Sequence, residues 1–262
     1  MDGVAGDLVE RADKLAELAA RRLALDIASP AARERARQLR DHLEGFVRPR
    51  AADLDAPLLV LLLGPTGAGK SSLLNAIAGG EVSRAGVLRP TTREAVLYAS
   101  ESDADRILSG GRLRLVASDR IVRAVAPDSA TGVAVIDAPD IDSVERDNRE
   151  LADILLEASD LCVFLTTATR YADLIPWQVL RRAQERGLPL VIVLNRVPGD
   201  GRDHEVVLAD VRRLLADAGM RESDGTLDML SITEGQVDPS VNGLARDSVR
   251  PLIDRIEQLA SE

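Results

Sequence analysis

The chain has 262 residues, room for one large α/β domain with appended helices, and its 45% apolar content is ample for a core. Forty-three acidic residues against 33 basic ones give a formal net charge of −10, the wrong sign for a general nucleic-acid coat, and two Phe, two Tyr and one Trp offer little for bases to stack on, so no nucleic-acid partner is expected. One cysteine, Cys162, and two distant histidines, His42 and His204, cannot build a disulfide framework or a zinc site by themselves. Early acids (Asp2, Asp7, Glu10) speak against a secretory signal, and the longest apolar run, around 56–63, is too short to span a bilayer. The expected location is the cytoplasm.

Val4, Leu8, Ala12, Leu15 and Leu18 recur at spacings of three and four, which predicts an amphipathic helix over 4–25. Ser29 and Pro30 read as N-cap and first helical residue of a second helix, continued to Val47 by Ala32, Ala36, Leu39 and Leu43. "RPRAADLDAP" (48–57) reads as a linker by composition. Residues 1–50 are thus expected to form a helical hairpin.

From residue 58 short apolar runs alternate with helical patterns. "LLVLLL" (58–63), "VAVID" (133–137), "LCVFLT" (161–166) and the run at 190–194 lack polar alternation, as strands buried on both faces do. Helices are predicted between them at 70–78, 146–158, 173–186 and 204–217. The segments 94–99 and 120–126 are edge-strand candidates, and 226–232 reads as a last strand. The fold class is therefore α/β, three-layered, with a mostly parallel sheet and helices on both faces. Beyond it Val249, Leu252, Ile253, Ile256 and Leu259 share one helical face over 247–260. Pro251 is expected in the first turn of that helix. The C-terminal segment 245–262 is expected to pack with the N-terminal helices.

Residues 64–71 fit G-x-x-x-x-G-K-[ST] between a predicted strand and a predicted helix. Gly64, Gly67 and Gly69, with Pro65, Thr66 and Ala68 between them, let backbone N–H groups converge on phosphates, and the helix start adds its dipole. Lys70 is placed to face the β- and γ-phosphates, the Ser71 hydroxyl to ligate Mg2+, and Ser72 to close the cradle. Asp137, at the end of an apolar run, is the candidate acid that holds the metal.

In order, "GPTGAGKSSLLNAIAGG", "RPTTREAVL", "VIDAPDIDS" and "VLNRVP" resemble the motifs of translation-factor-class GTPases. They look most like bacterial dynamin-like GTPases of the actinobacterial branch that carries D-x-P-D, over roughly 57–232. The resemblance implies GTP and GDP as ligands, Mg2+ as cofactor, and a switch threonine on the metal, Thr92 before Thr91. It also implies a nucleotide-dependent homodimer through the switch face and membrane association at the inner face. Lys70 and Thr92 would then be the catalytic residues, with slow turnover by the isolated chain. Arg170 and Arg93 are candidate arginine fingers.

The chain departs from the pattern twice. Asp140 stands where the family's D-x-x-G ends in glycine. The base-reading N-K-x-D appears as Asn195, Arg196, Val197 and Pro198, without the final acid, and nothing in the sequence shows that Asp200 substitutes. Two other readings stay open: a P-loop ATPase or kinase, and a non-hydrolysing nucleotide switch. "LSGG" (108–111), which copies most of a signature of ABC-transporter ATPases, reads as a turn before a strand-like "RLRLVAS". "TTATRYAD" (166–173) reads as a polar loop, and Trp177 as a core or interface residue.

Overall fold

The computed structural model describes residues 2–25, 29–83, 94–109, 112–113, 116–127, 131–143, 146–199, 201–220 and 227–261. Its centre is β1 (Leu58–Leu63), whose side chains are buried almost throughout. It lies between β4 (Val133–Asp137) and β5 (Leu161–Thr167), parallel to both, with Leu58 opposite Val133 and Val60 opposite Leu161. Beyond β5 come β6 (Leu190–Val197) and β7 (Leu227–Thr233), both parallel. On the other side β2 (Ala95–Ala99) runs antiparallel to β4, and β3 (Ile121–Val125) pairs with β2 at the edge. The order is β3-β2-β4-β1-β5-β6-β7, so β3 is an edge strand and β2 is not.

The strict two-residue alternation of a strand divides the core in two. Leu59, Leu61 and Leu63 face a layer containing α5 (Glu101–Ser109), α6 (Arg146–Ala158), α7 (Leu174–Glu185) and α8 (Gly201–Asp217). Val60 and Leu62 face α4 (Lys70–Ala78) and α9 (Arg246–Ser261). Helix α5 is absent from the sequence reading, because nine residues beginning with four polar or small ones give too little periodicity. Leu108 and Ser109 of "LSGG" end this helix, and the rest of that tetrapeptide lies outside the described residues. Arg112 and Leu113, in the segment read as strand-like, form a turn.

Helix α9 corrects an expectation. Its Val249, Leu252, Ile253 and Ile256 join the α4 side of the sheet, with Leu259 packed against them. Each such burial stabilises by about 1.5–3 kcal/mol, so the stripe belongs to the sheet rather than to a bundle with the N-terminal helices. Pro251 sits in the second turn rather than the first, as the sixth residue of a helix that begins at Arg246.

The N-terminal helices α1 (Asp2–Leu23), α2 (Pro30–His42) and α3 (Arg48–Ala52) pack on one another. Ser29 caps α2 by accepting from Ala32 N–H. The supposed linker continues the helix to Ala52 through a π-turn over Leu43–Val47, where Arg48 N–H reaches Leu43 O, five residues back. Pro49 has no N–H to give to the preceding turn, and the wider turn accommodates it. In α1 the row Ala12, Ala16 and Ala19 is buried, whereas Leu8, Leu15 and Leu18 are 41%, 49% and 59% exposed. Small side chains let the helices approach closely, so alanine rather than leucine marks the inner face. The bundle meets α6 through the π-turn. There Phe46 stacks on His42 at 5.3 Å and lies beneath the guanidinium groups of Arg112 and Arg186, at 6.0 and 5.6 Å from its centroid.

Candidate functional site

The chain leaves β1 at Leu63 and turns through 64–69 into α4. Gly64 passes so near β5 that an added Cβ would lie 2.2 Å from Leu165 O. Gly67 and Gly69 have φ of 76° and 106°, left-handed values that glycine adopts without strain. Gly69 also backs onto Asn195, whose Nδ2 would be 2.5 Å from a Cβ there. The loop is thereby packed closely against the ends of β5 and β6. It lies at the carboxyl end of the sheet, with the segments after β4, β5 and β6 around it, where open α/β folds place ligands.

Lys70 opens α4 and is only 6% exposed. Its ammonium donates to Gly64 O at 3.1 Å and to Asp140 Oδ1 at 2.5 Å. Ser71 Oγ donates to Asp137 Oδ2 at 2.7 Å, and Ser83 Oγ reaches the same oxygen at 3.2 Å. Burial pushes the Asp137 carboxyl up, opposed by the Lys70 charge and by the two hydroxyl donors. Its other oxygen, Oδ1, is buried without a hydrogen-bond partner. An orphaned carboxylate oxygen beside a serine hydroxyl suits a hard cation with oxygen ligands.

Asp142 occupies the lip of the loop. Its Oδ1 accepts from Thr66 N and Thr66 Oγ1, both at 2.8 Å. Its Oδ2 accepts from Arg170 Nη2 at 2.9 Å, while Arg170 Nη1 donates to Thr66 O at 2.9 Å and Nε to Asp173 at 3.0 Å. Burial pushes the Asp142 carboxyl up, but the Thr66 donors and Arg170 outweigh it and hold it below the usual carboxylate range. The loop after β5 is therefore more than polar surface, since it grips the 64–69 turn. Trp177 Nε1 donates to Tyr171 O at 2.9 Å and packs on the core, as read from the sequence.

On the far side, a bulge between Leu194 and Val197 puts Arg196 at φ 55°. Asn195, buried, donates from Nδ2 to Ala68 O at 2.9 Å and accepts from Arg196 N–H. Arg196 is exposed, and Glu234 N–H bonds Val197 O at 2.9 Å, which draws the end of β7 beside this turn. Ser72 is half-buried on α4, and its carbonyl is approached by Gly243.

The structure thus brings together Gly64, Pro65, Thr66, Gly67, Ala68, Gly69, Lys70, Ser71, Ser72, Asp137, Asn195 and Arg196. Thr91, Thr92, Arg93 and Asp200 lie outside the described residues. Asp142, Asn75 and Ser83 are given no role in the site by the sequence reading, and Arg170, a candidate arginine finger there, is found on the loop of its own chain. Asp142 and the P-loop contact of Arg170 depend on pairings 28 to 104 residues apart. Asn75 accepts from Val82 N and Ser83 N, which places the Ser83 hydroxyl on Asp137.

Residues 59–196 match the protein family described as "50S ribosome-binding GTPase". A search of curated proteins found no match. Among solved structures, a chain of an oligomerised bacterial dynamin pair, described as a mechanism for long-range sensing and tethering of membranes, aligns with a TM-score of 0.51 at 16% identity. The alignment covers 97% of this chain and 51% of that one, so this chain spans about half its length. Toc33 from Arabidopsis thaliana, in a dimerization-deficient mutant, aligns with a TM-score of 0.50 at 17% identity, covering 84% and 91% of the two chains. At these identities the likeness is one of fold.

Proposed function

The chain belongs to the 50S ribosome-binding GTPase family, and from that premise we propose that it binds GTP and GDP with Mg2+ and hydrolyses GTP slowly, as the G domain of a dynamin-like protein. The observation that carries the proposal is the meeting of Lys70, Ser71 and Asp137 at the carboxyl ends of β1 and β4. Ribosome binding is not part of it, because a net charge of −10 suits an RNA surface poorly.

Ser71 and Asp137 would hold the metal, with Thr92 as a third ligand on the strength of the motif resemblance. Mg2+, when bound, neutralises charge on the β- and γ-phosphate oxygens. The protein's own contribution would be the backbone N–H groups at 67 and 69–72, the α4 dipole and the Lys70 ammonium, whereas Thr66 N–H is taken by Asp142 and Ala68 N–H by Pro65 O. Asn195 and the Arg196 stem would meet the base. A water attacks the γ-phosphorus as its bond to the β–γ bridging oxygen breaks. Asp142 is held by Thr66 and Arg170 and Asp140 by Lys70, and no residue of the described chain is assigned to orient that water. Slow turnover follows, on the order of 10⁻³ per second, as in GTPases that lack a supplied arginine.

Pairing of two copies through the face carrying 137–142 would complete such a site, the Thr92 segment joining it only on the strength of the motif resemblance. Among the described residues no helix is long and apolar enough to cross a membrane. Peripheral membrane association is part of the proposal on the strength of the dynamin-like resemblance. The test is phosphate release from GTP and from ATP by the purified chain, with Mg2+ and with EDTA, alongside sedimentation with GDP and a GTP analogue. Mg2+-dependent release from GTP supports the proposal. Nucleotide binding without release favours a non-hydrolysing switch, and faster release from ATP favours an ATPase.

A further inference from the structure

We propose that Asp140 is a selectivity residue of the phosphate site: its carboxylate competes with a terminal phosphate for Lys70, so the protein favours a nucleoside diphosphate over the triphosphate. The proposal rests on the nucleotide reading above and adds to it a direction of discrimination that the motif pattern does not contain.

The argument starts from donor counting. An ammonium has three protons and no acceptor. One Lys70 proton goes to Gly64 O, inside the loop, and a second to Asp140 Oδ1 at 2.5 Å. Only the third remains for a ligand. A diphosphate, whose last phosphate needs one bond from this lysine, can share the ammonium with Asp140. A triphosphate brings two phosphates toward the same nitrogen. It must either expel the carboxylate or hold it beside a γ-phosphate of like charge. Neither side chain is freely solvated, with Lys70 6% and Asp140 17% exposed, so water screens little of that repulsion.

Asp140 is also held in place. Two residues on, Asp142 is fastened to Thr66 N and Oγ1 and to Arg170, which itself bonds Thr66 O. The turn 138–142 is therefore tied to the loop at both ends of its acidic stretch. Moving Asp140 off Lys70 pulls against that second tether. Asp137, three residues before, adds another carboxylate, and its buried charge is disfavoured further by Asp140. Asp140 and Asp142 on the turn, with Asp137 at the end of β4, face one lysine and one arginine, so a further phosphate adds like charge to an acidic edge, offset only in part by a cation held at Ser71 and Asp137. Glycine at position 140 would present only an N–H and none of this competition.

The experiment measures dissociation constants for GDP and for a non-hydrolysable GTP analogue, with Mg2+, on the full chain. Wild type, Asp140→Asn and Asp140→Gly are compared, with Asp217→Asn, on the exposed face of α8, as control. A charge-assisted hydrogen bond sets the scale, so removing the competitor should shift the analogue-to-GDP affinity ratio toward the analogue by about tenfold to a hundredfold. Wild type should favour GDP, and the Asp217 variant should keep the wild-type ratio. An analogue preference of more than about tenfold in wild type would overturn the proposal, as would ratios unchanged in both Asp140 variants. Thermal melts identify any variant that fails to fold, and the wild-type preference stands as a test without them. Absence of binding by wild type to either nucleotide would instead refute the nucleotide reading itself.

Discussion

Replacing Gly69 by alanine should damage the loop and its link to β6 together, and the two effects can be separated. The residue sits at φ 106°, where an L side chain costs roughly 1–2 kcal/mol. The new Cβ would lie 2.5 Å from Asn195 Nδ2, which cannot remain there. That amide donates to Ala68 O, and both residues are buried, Asn195 at 3% and Ala68 at 1% exposure. Losing the bond and leaving its partners unpaired costs about 1–3 kcal/mol. The expected destabilisation is about 2–5 kcal/mol, measured by urea denaturation, with a matching fall in nucleotide affinity. Asn195→Ala alone should cost about 1–3 kcal/mol by the same reasoning. In the double variant the clash has no partner and the Asn195 bond is lost only once, so its loss should fall short of the sum of the single variants by about 1–3 kcal/mol. Strict additivity would refute the claim that Gly69 is required because Asn195 lies against it.

Three further outcomes are expected. Arg112→Ala removes the partner of Asp160 from a pair whose side chains are 3% and 11% exposed, and should destabilise by about 3–5 kcal/mol; a loss below about 1 kcal/mol by urea denaturation would show the pair to be dispensable. Burial, and secondarily the Arg186 charge, holds the His42 imidazole below its ordinary pKa of 6.5, so its contribution to stability is present above that pH and is lost as pH falls through the folded value. Melting curves from pH 7.5 to 5 should therefore decline less steeply in His42→Gln than in wild type, and identical slopes would refute this. Cys162 is 1% exposed and its thiol is pushed up to about 12 by burial, so Ellman's reagent at pH 8 should leave it intact until guanidinium is added, whereas rapid labelling of the folded protein would contradict its place in the core.

What could be read from the sequence was what is written contiguously. Gly64–Ser71 declares a strand, a turn and a helix in one stretch, and the apolar runs at β1, β4, β5 and β6 need only local counting. Asp137 was legible because it ends such a run. The clamp of Asp142, Thr66 and Arg170 was not, since only the folded sheet brings three separate loops to one edge. Asp140 was visible as a departure, but its partner was not, and the partner gives the departure its meaning. The periodicity of α1 was real, yet it pointed to the leucines when the alanines are buried. Side-chain size suggested the wrong face because close helix approach rewards small residues. For α9, a stripe of five apolar residues says that a face is covered and leaves open which surface covers it. The base site departs furthest from the motif pattern, since Pro198 stands where the base-reading acid would be.

The central claim is that the Gly64–Ser72 loop of this chain holds a guanine nucleotide. Competition titration of GTP, GDP and ATP against the purified protein in Mg2+, with Lys70→Ala beside wild type, tests it most directly. The phosphate cradle sees only oxygen atoms, so preference for a base must arise at Asn195–Pro198. With one reading group retained and the acid missing, GTP should exceed ATP in affinity by about tenfold to a hundredfold. Lys70→Ala should weaken both by more than about tenfold, since a charge-assisted bond is lost. Equal affinity for ATP, or a Lys70→Ala protein that binds GTP as tightly as wild type, would contradict the account.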